Sequence, residues 1–75
     1  MQPYNDRGGD SNVDAFEIGD DYIKVRFQDG SIYLYTYAGA GSYHIENMKR
    51  LALNHDGLNA YISHNKPRYQ SKSVY

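Results

Sequence analysis

Tyr33, Tyr35 and Tyr37 alternate along one short run, and Lys24 and Arg26 alternate along the run just before it. Tyrosines two apart on a strand share a face at a spacing of about 6.5–7 Å, from a rise of ~3.3 Å per residue. Unstacked bases can splay across such a row, each stack contributing ~1–3 kcal/mol whatever the base. Lysine and arginine beside the rings can meet the phosphates, as in sheet-based readers of single-stranded RNA. The chemistry expected here is therefore binding of RNA or single-stranded nucleic acid, with Lys66 and Arg68 as peripheral phosphate contacts. A plainer reading makes tyrosine a favoured strand residue whose cross-strand pairs with Lys and Arg simply stabilise a sheet.

Other reactive residue types form no convincing constellation. His44, His55 and His64 show neither HxxxH nor HExxH spacing, so no metal site is expected. Gly39-Ala40-Gly41-Ser42 leads into a helix but has no third glycine and no following Lys-Ser or Lys-Thr, and reads as a connector. A Ser-His-Asp triad has no nucleophile elbow to support it. A domain of 75 residues also offers little depth for a water-excluding pocket. The expectation is a binding module with no catalytic residues and no cofactor.

The elements that must position the tyrosines form a hairpin. Asp29-Gly30 separates Tyr22–Gln28 from Ser31–Tyr37, and an Asp-Gly pair between alternating runs predicts a two-residue type I′ turn. That turn would set Gln28 against Ser31, Arg26 against Tyr33 and Lys24 against Tyr35. Ile23, Val25, Phe27, Ile32 and Leu34 would then share a core face, opposite a face of Tyr, Lys and Arg. Val13, Ala15, Phe16 and Ile18 predict a strand before this hairpin, joined to it by Gly19-Asp20-Asp21.

Beyond the hairpin, Ser42 can cap a helix whose apolar positions are Ile45, Met48, Leu51 and Ala52, with Glu46 and Arg50 spaced to pair outside. Gly57 is placed to end it in the left-handed C′ position. A second helix is predicted over Leu58–His64, with Pro67 biasing Lys66 toward extended backbone. The expected architecture is α+β: a three-stranded antiparallel meander covered on one face by two short helices, spanning residues 11–69. Residues 1–10 are expected to be a mobile leader and 70–75 a flexible tail.

Composition bounds the rest. The chain has no cysteine, no signal-peptide pattern at its start and no apolar run near the ~20 residues that span a bilayer, which together suggest a cytoplasmic protein with no membrane partner. Residues 1–21 carry six acids against Arg7, a net −5, and residues 22–75 carry seven cations against three acids, a net +4. Such polarity can focus positive potential on one surface although the whole chain carries −1. The alternative partner is another protein or a second copy, met through the same tyrosine face or an open sheet edge.

The residues Ser11-Asn12-Val13, then Val25 through Tyr35, then Gly57, Tyr61-Ile62 and Pro67-Arg68-Tyr69 resemble the KTSC domain, found at the C-terminus of some lysyl-tRNA synthetases and alone in small bacterial and phage proteins. Tyr33-Leu34-Tyr35 matches its central Tyr-x-Tyr, within a Phe-x-x-Gly-x-x-Tyr-x-Tyr core. The resemblance implies a compact module for which RNA binding is proposed. This chain departs from the family after Tyr35, where Thr36-Tyr37-Ala38-Gly39 replaces an Asn-Val-Pro-like turn.

Overall fold

The computed structural model describes residues 1–5 and 12–74. Its strands are β1 (Gln2–Pro3), β2 (Val13–Ile18), β3 (Tyr22–Phe27), β4 (Ser31–Thr36) and β5 (Ser71–Val74), all antiparallel and adjacent in chain order. Between β4 and β5 the chain forms α1 (Tyr37–Ala40), α2 (Ser42–Leu53) and α3 (Leu58–Asn65). The α+β class holds, but the expected meander is only the middle of a five-stranded sheet, and three helices accompany it. Gln2 and Pro3 pair with β2, and Ser71–Val74 pairs with β4, so neither segment is the loose end expected of it. Residues 6–10 of the expected leader lie outside the described residues, as does Tyr75.

The hairpin register differs from the expected one by a single residue. Ile23 opposes Tyr35, Lys24 opposes Leu34, Val25 opposes Tyr33 and Arg26 opposes Ile32. A type I′ turn would need positive φ at Asp29, but of these two residues only Gly30 has it, at 90°. The loop is instead a three-residue connection, in which the Gly30 N–H donates to the Phe27 carbonyl at 2.9 Å. Asp29 Oδ1 then accepts from the Ser31 N–H at 2.9 Å and the Ser31 hydroxyl at 2.6 Å. Because side chains alternate, this one extra loop residue turns all of β4 over.

Tyr33 and Tyr35 consequently point to the core with Ile23, Val25 and Phe27, while Ile32 and Leu34 share the outer face with Lys24 and Arg26. On the β2–β3 side, a Cβ on Gly19 would lie 1.9 Å from Tyr22 Cε2, so the turn depends on the absent side chain. A bulge between Val13 and Ala15 brings Asp14 to Arg26.

Helix α2 lays Ile45, Met48 and Ala52 against the inner sheet face, the expected stripe apart from Leu51, which is only half-buried. With Phe16, Ile23, Val25 and Leu58 they form the sealed core, each large side chain contributing ~1.5–3 kcal/mol by burial. Outside, Glu46 pairs with Lys49 at 2.9 Å rather than with Arg50, which meets the Asn47 side chain.

The end of α2 corrects another expectation. His55, at φ 55°, takes the left-handed C′ position, with its N–H on the Ala52 carbonyl and the Asp56 N–H on Leu51, a Schellman closure. Gly57 is the N-cap of α3. Lys66 closes α3 in the left-handed region at φ 46°, not in extended backbone, and its N–H bonds the Ile62 carbonyl. Among the described residues no helix is long and apolar enough to cross a membrane.

Candidate functional site: an aromatic cleft with a cationic end

The inner sheet face extends beyond the helices that cover it. Between the hairpin tip and the segment leaving α3 lies an open-sided cleft of about 1130 Å³. Its aromatic wall is Phe27, Tyr33, Tyr35 and Tyr69. Tyr33 and Tyr35 lie near-parallel at 6.3 Å between ring centroids, as two side chains spaced i, i+2 must on one strand face. Tyr69 stands edge-on to both, 4.8 Å from Tyr33 and 6.5 Å from Tyr35, and Phe27 packs edge-on to Tyr33 at 5.2 Å. Tyr69 remains 49% exposed, whereas Tyr35 is 2% exposed, so the wall runs from core to solvent.

Cations frame this wall. Lys66 and Arg68 line the cleft, and Lys72, opposite Tyr33 on β5, holds Nζ 5.3 Å from the centre of the Tyr33 ring. The Tyr33 side chain, by hydrogen bonding and then by charge, raises the Lys72 pKa and keeps the ammonium charged. At the hairpin tip, the two bonds from Ser31 hold Asp29 below the usual carboxylate range, with Lys72 adding to the effect. Among the described residues no ion pair includes Lys66, Arg68 or Lys72.

The residues expected to act together divide into three groups. Tyr33, Tyr35, Lys66 and Arg68 meet in the cleft. Lys24 and Arg26 lie on the opposite face of the sheet, where carboxylates already hold them: Glu17 at 4.0 Å from Lys24 and Asp14 at 2.7 Å from Arg26. Tyr37 belongs to α1, not to the sheet, and its hydroxyl donates to Glu46. The cleft adds Phe27, Asp29 and Tyr69, with Lys72 over Tyr33 beside it, none of them among the expected site residues; Phe27, Asp29 and Tyr69 lie in the stretches that resemble the KTSC domain, and that is the available signal. The histidines stay apart: His44 bonds the Tyr61 hydroxyl and His55 Nδ1 accepts the Asn5 N–H.

Burial, with Tyr33 and Tyr69 beside it, pushes the Tyr35 phenol up from 10.0 to about 12. The folded state thus keeps a proton that the unfolded chain releases. Its stabilising effect is complete below pH 10.0 and disappears as the pH rises through about 12, a loss of roughly 3 kcal/mol. Tyr22 and Tyr37, raised by hydrogen bonds to Glu17 and Glu46, steepen the same decline. Urea denaturation between pH 9 and 12 should show this fall in the wild type and a shallower one in Tyr35→Phe; parallel curves would refute the assignment.

The molecule is thus a two-layer α+β domain whose partly covered inner sheet face carries an aromatic cleft with a cationic end. No protein-family model matches the sequence, and neither a curated protein nor a solved structure matches the chain.

Proposed function

We propose that this chain is a small non-catalytic module that binds RNA, or single-stranded nucleic acid more generally, in the cleft rather than across the outer sheet face. The observation that carries this is the pairing pattern of the cations. Arg26 is paired with Asp14 and Lys24 stands at the edge of ion-pair range of Glu17, while Lys66 and Arg68 in the cleft and Lys72 over Tyr33 have no ion-pair partner among the described residues. Aromatic faces take bases of any sequence, and free cations beside them take phosphates. Part of the KTSC resemblance fits this reading: of the residues that carry it, Phe27, Tyr33, Tyr35, Pro67, Arg68 and Tyr69 line the cleft, whereas others such as Val25, Leu34 and Gly57 do not.

Anisotropy titration of a labelled single-stranded RNA at low and moderate salt tests the proposal. Tyr69→Ala should weaken binding by about fivefold to a hundredfold, the range of one lost base stack. The double variant Lys66→Ala, Arg68→Ala should weaken it and reduce the salt slope by roughly two. Lys24→Ala, Arg26→Ala should change little. Absence of binding at low salt, or cleft variants indistinguishable from wild type, would overturn the reading.

A competing outcome is assembly through β5, which among the described residues has a neighbouring strand on one side only. Sedimentation at micromolar concentration would reveal it as a dimer.

A further inference from the structure

The cleft is polarised along its length. At the hairpin tip stands Asp29, with Gln28 and Asn12 also lining the wall there. Tyr33 and Tyr35 follow along β4. Beyond the other end of that strand, the Arg68 carbonyl lies 3.5 Å from where a Gly39 Cβ would be, so the backbone at Arg68 occupies the far end, and Lys66 lines the same cleft. Carboxylate and amides with Lys72 beside them, then rings, then Lys66 and Arg68, is an order that can match a nucleotide's donor-bearing base edge, its base plane and its phosphate.

Asp29 is also incompletely used. Both bonds from Ser31 go to Oδ1, the Asp29 N–H also acts on its own carboxylate, and no other described residue donates to Oδ2. A solvent-exposed carboxylate oxygen selects bases by their donors. Guanine offers two adjacent donors on its Watson–Crick edge, N1–H and the 2-amino group. Adenine and cytosine offer one amino group beside a ring-nitrogen acceptor. Uracil offers one N–H flanked by two carbonyl oxygens, which a carboxylate repels.

Resting on the nucleic-acid reading above, we infer that the cleft holds one nucleotide with its base edge at Asp29 and its phosphate toward Lys66 and Arg68, and that it prefers guanine. Asp29 is a specificity-determining residue in this scheme, and the cations supply affinity without sequence preference.

The test uses three RNA hexamers: all-uridine, the same with one guanosine, and the same with one adenosine. The guanosine hexamer should bind about five- to tenfold tighter than the all-uridine one, in the range of a good base-edge contact. Asp29→Asn keeps an amide oxygen to accept from Ser31 and should retain the thermal midpoint. It should bring the guanosine and uridine affinities together while leaving the salt slope intact. Ser31→Ala, which removes a hydroxyl bond to Oδ1 without touching Oδ2, should keep the preference. Equal binding of all three hexamers, or adenosine matching guanosine, would overturn the guanine assignment while nucleic-acid binding stands. If no hexamer binds at low salt, both proposals fall.

Discussion

Tyr35→Ala is expected to destabilise the fold by about 3–5 kcal/mol, the range for truncating a buried aromatic, whereas Leu34→Ala next to it should cost about 1 kcal/mol or less. The contrast follows from the hairpin register. Tyr35 is 2% exposed and packs among Ile23, Tyr33 and Tyr69, while Leu34 is half-buried on the outer face opposite Lys24. A two-residue loop would reverse the order, because Leu34 would then fill the core and Tyr35 would stand in solvent. Urea midpoints of the two variants at constant m-value decide the matter. With total stabilities for such domains of about 5–15 kcal/mol, Tyr35→Ala should leave a protein that is marginal at room temperature. A larger loss in Leu34→Ala would sink the three-residue loop and, with it, the cleft.

The difficulty of reading this register from sequence has a physical origin. Strand β3 alternates Ile, Lys, Val, Arg and Phe, so only one of its faces can be core, and Ile23 and Val25 are indeed sealed. Strand β4 is apolar on both faces, Ile32 and Leu34 on one, Tyr33 and Tyr35 on the other. Composition cannot choose between them; the loop must. Asp-Gly serves a two-residue type I′ turn and also a three-residue loop with glycine in the positive-φ position, and the two differ by one register step. What distinguishes them here is partly local, the Asp29–Ser31 bonds at the tip, and partly tertiary, Tyr69 and Lys72 meeting the tyrosines from a segment with no strand signature.

Tyr33, Tyr35, Lys66 and Arg68 stand out by residue type, and they converge. The carboxylates beside Lys24 and Arg26 could not be read, because Glu17 and Asp14 approach them from β2, the latter only through a bulge. Strand β5 was hidden for a related reason. Ser-Lys-Ser-Val has no alternating apolar face and becomes a strand because β4 offers it an edge. Helix α2 needed no such help, since Ile45, Met48 and Ala52 repeat at the helical period on one apolar face.

Tyr4→Ala should be about as damaging as the loss of Tyr35, again about 3–5 kcal/mol, although it lies in a stretch whose polarity suggests disorder. Its ring is 6% exposed and stands edge-on to Phe16, with the His55 ring 5.9 Å away. Its N–H bonds the Asp14 carbonyl, and its hydroxyl accepts the buried N–H of Leu58 at the start of α3. Asn5 adds a bond to His55 Nδ1 in the left-handed turn that ends α2. One arm therefore closes the free edge of β2 through a short strand containing Pro3, and ties that edge to both ends of the α2–α3 connection. Tyr4→Phe isolates the polar part. It keeps the ring and strands the Leu58 N–H, at a cost of about 1–3 kcal/mol. Amide hydrogen exchange should show Leu58 exchanging faster in Tyr4→Phe while the β3–β4 amides keep their protection. An arm without structural weight would instead leave both variants at the wild-type urea midpoint and the Leu58 amide unchanged.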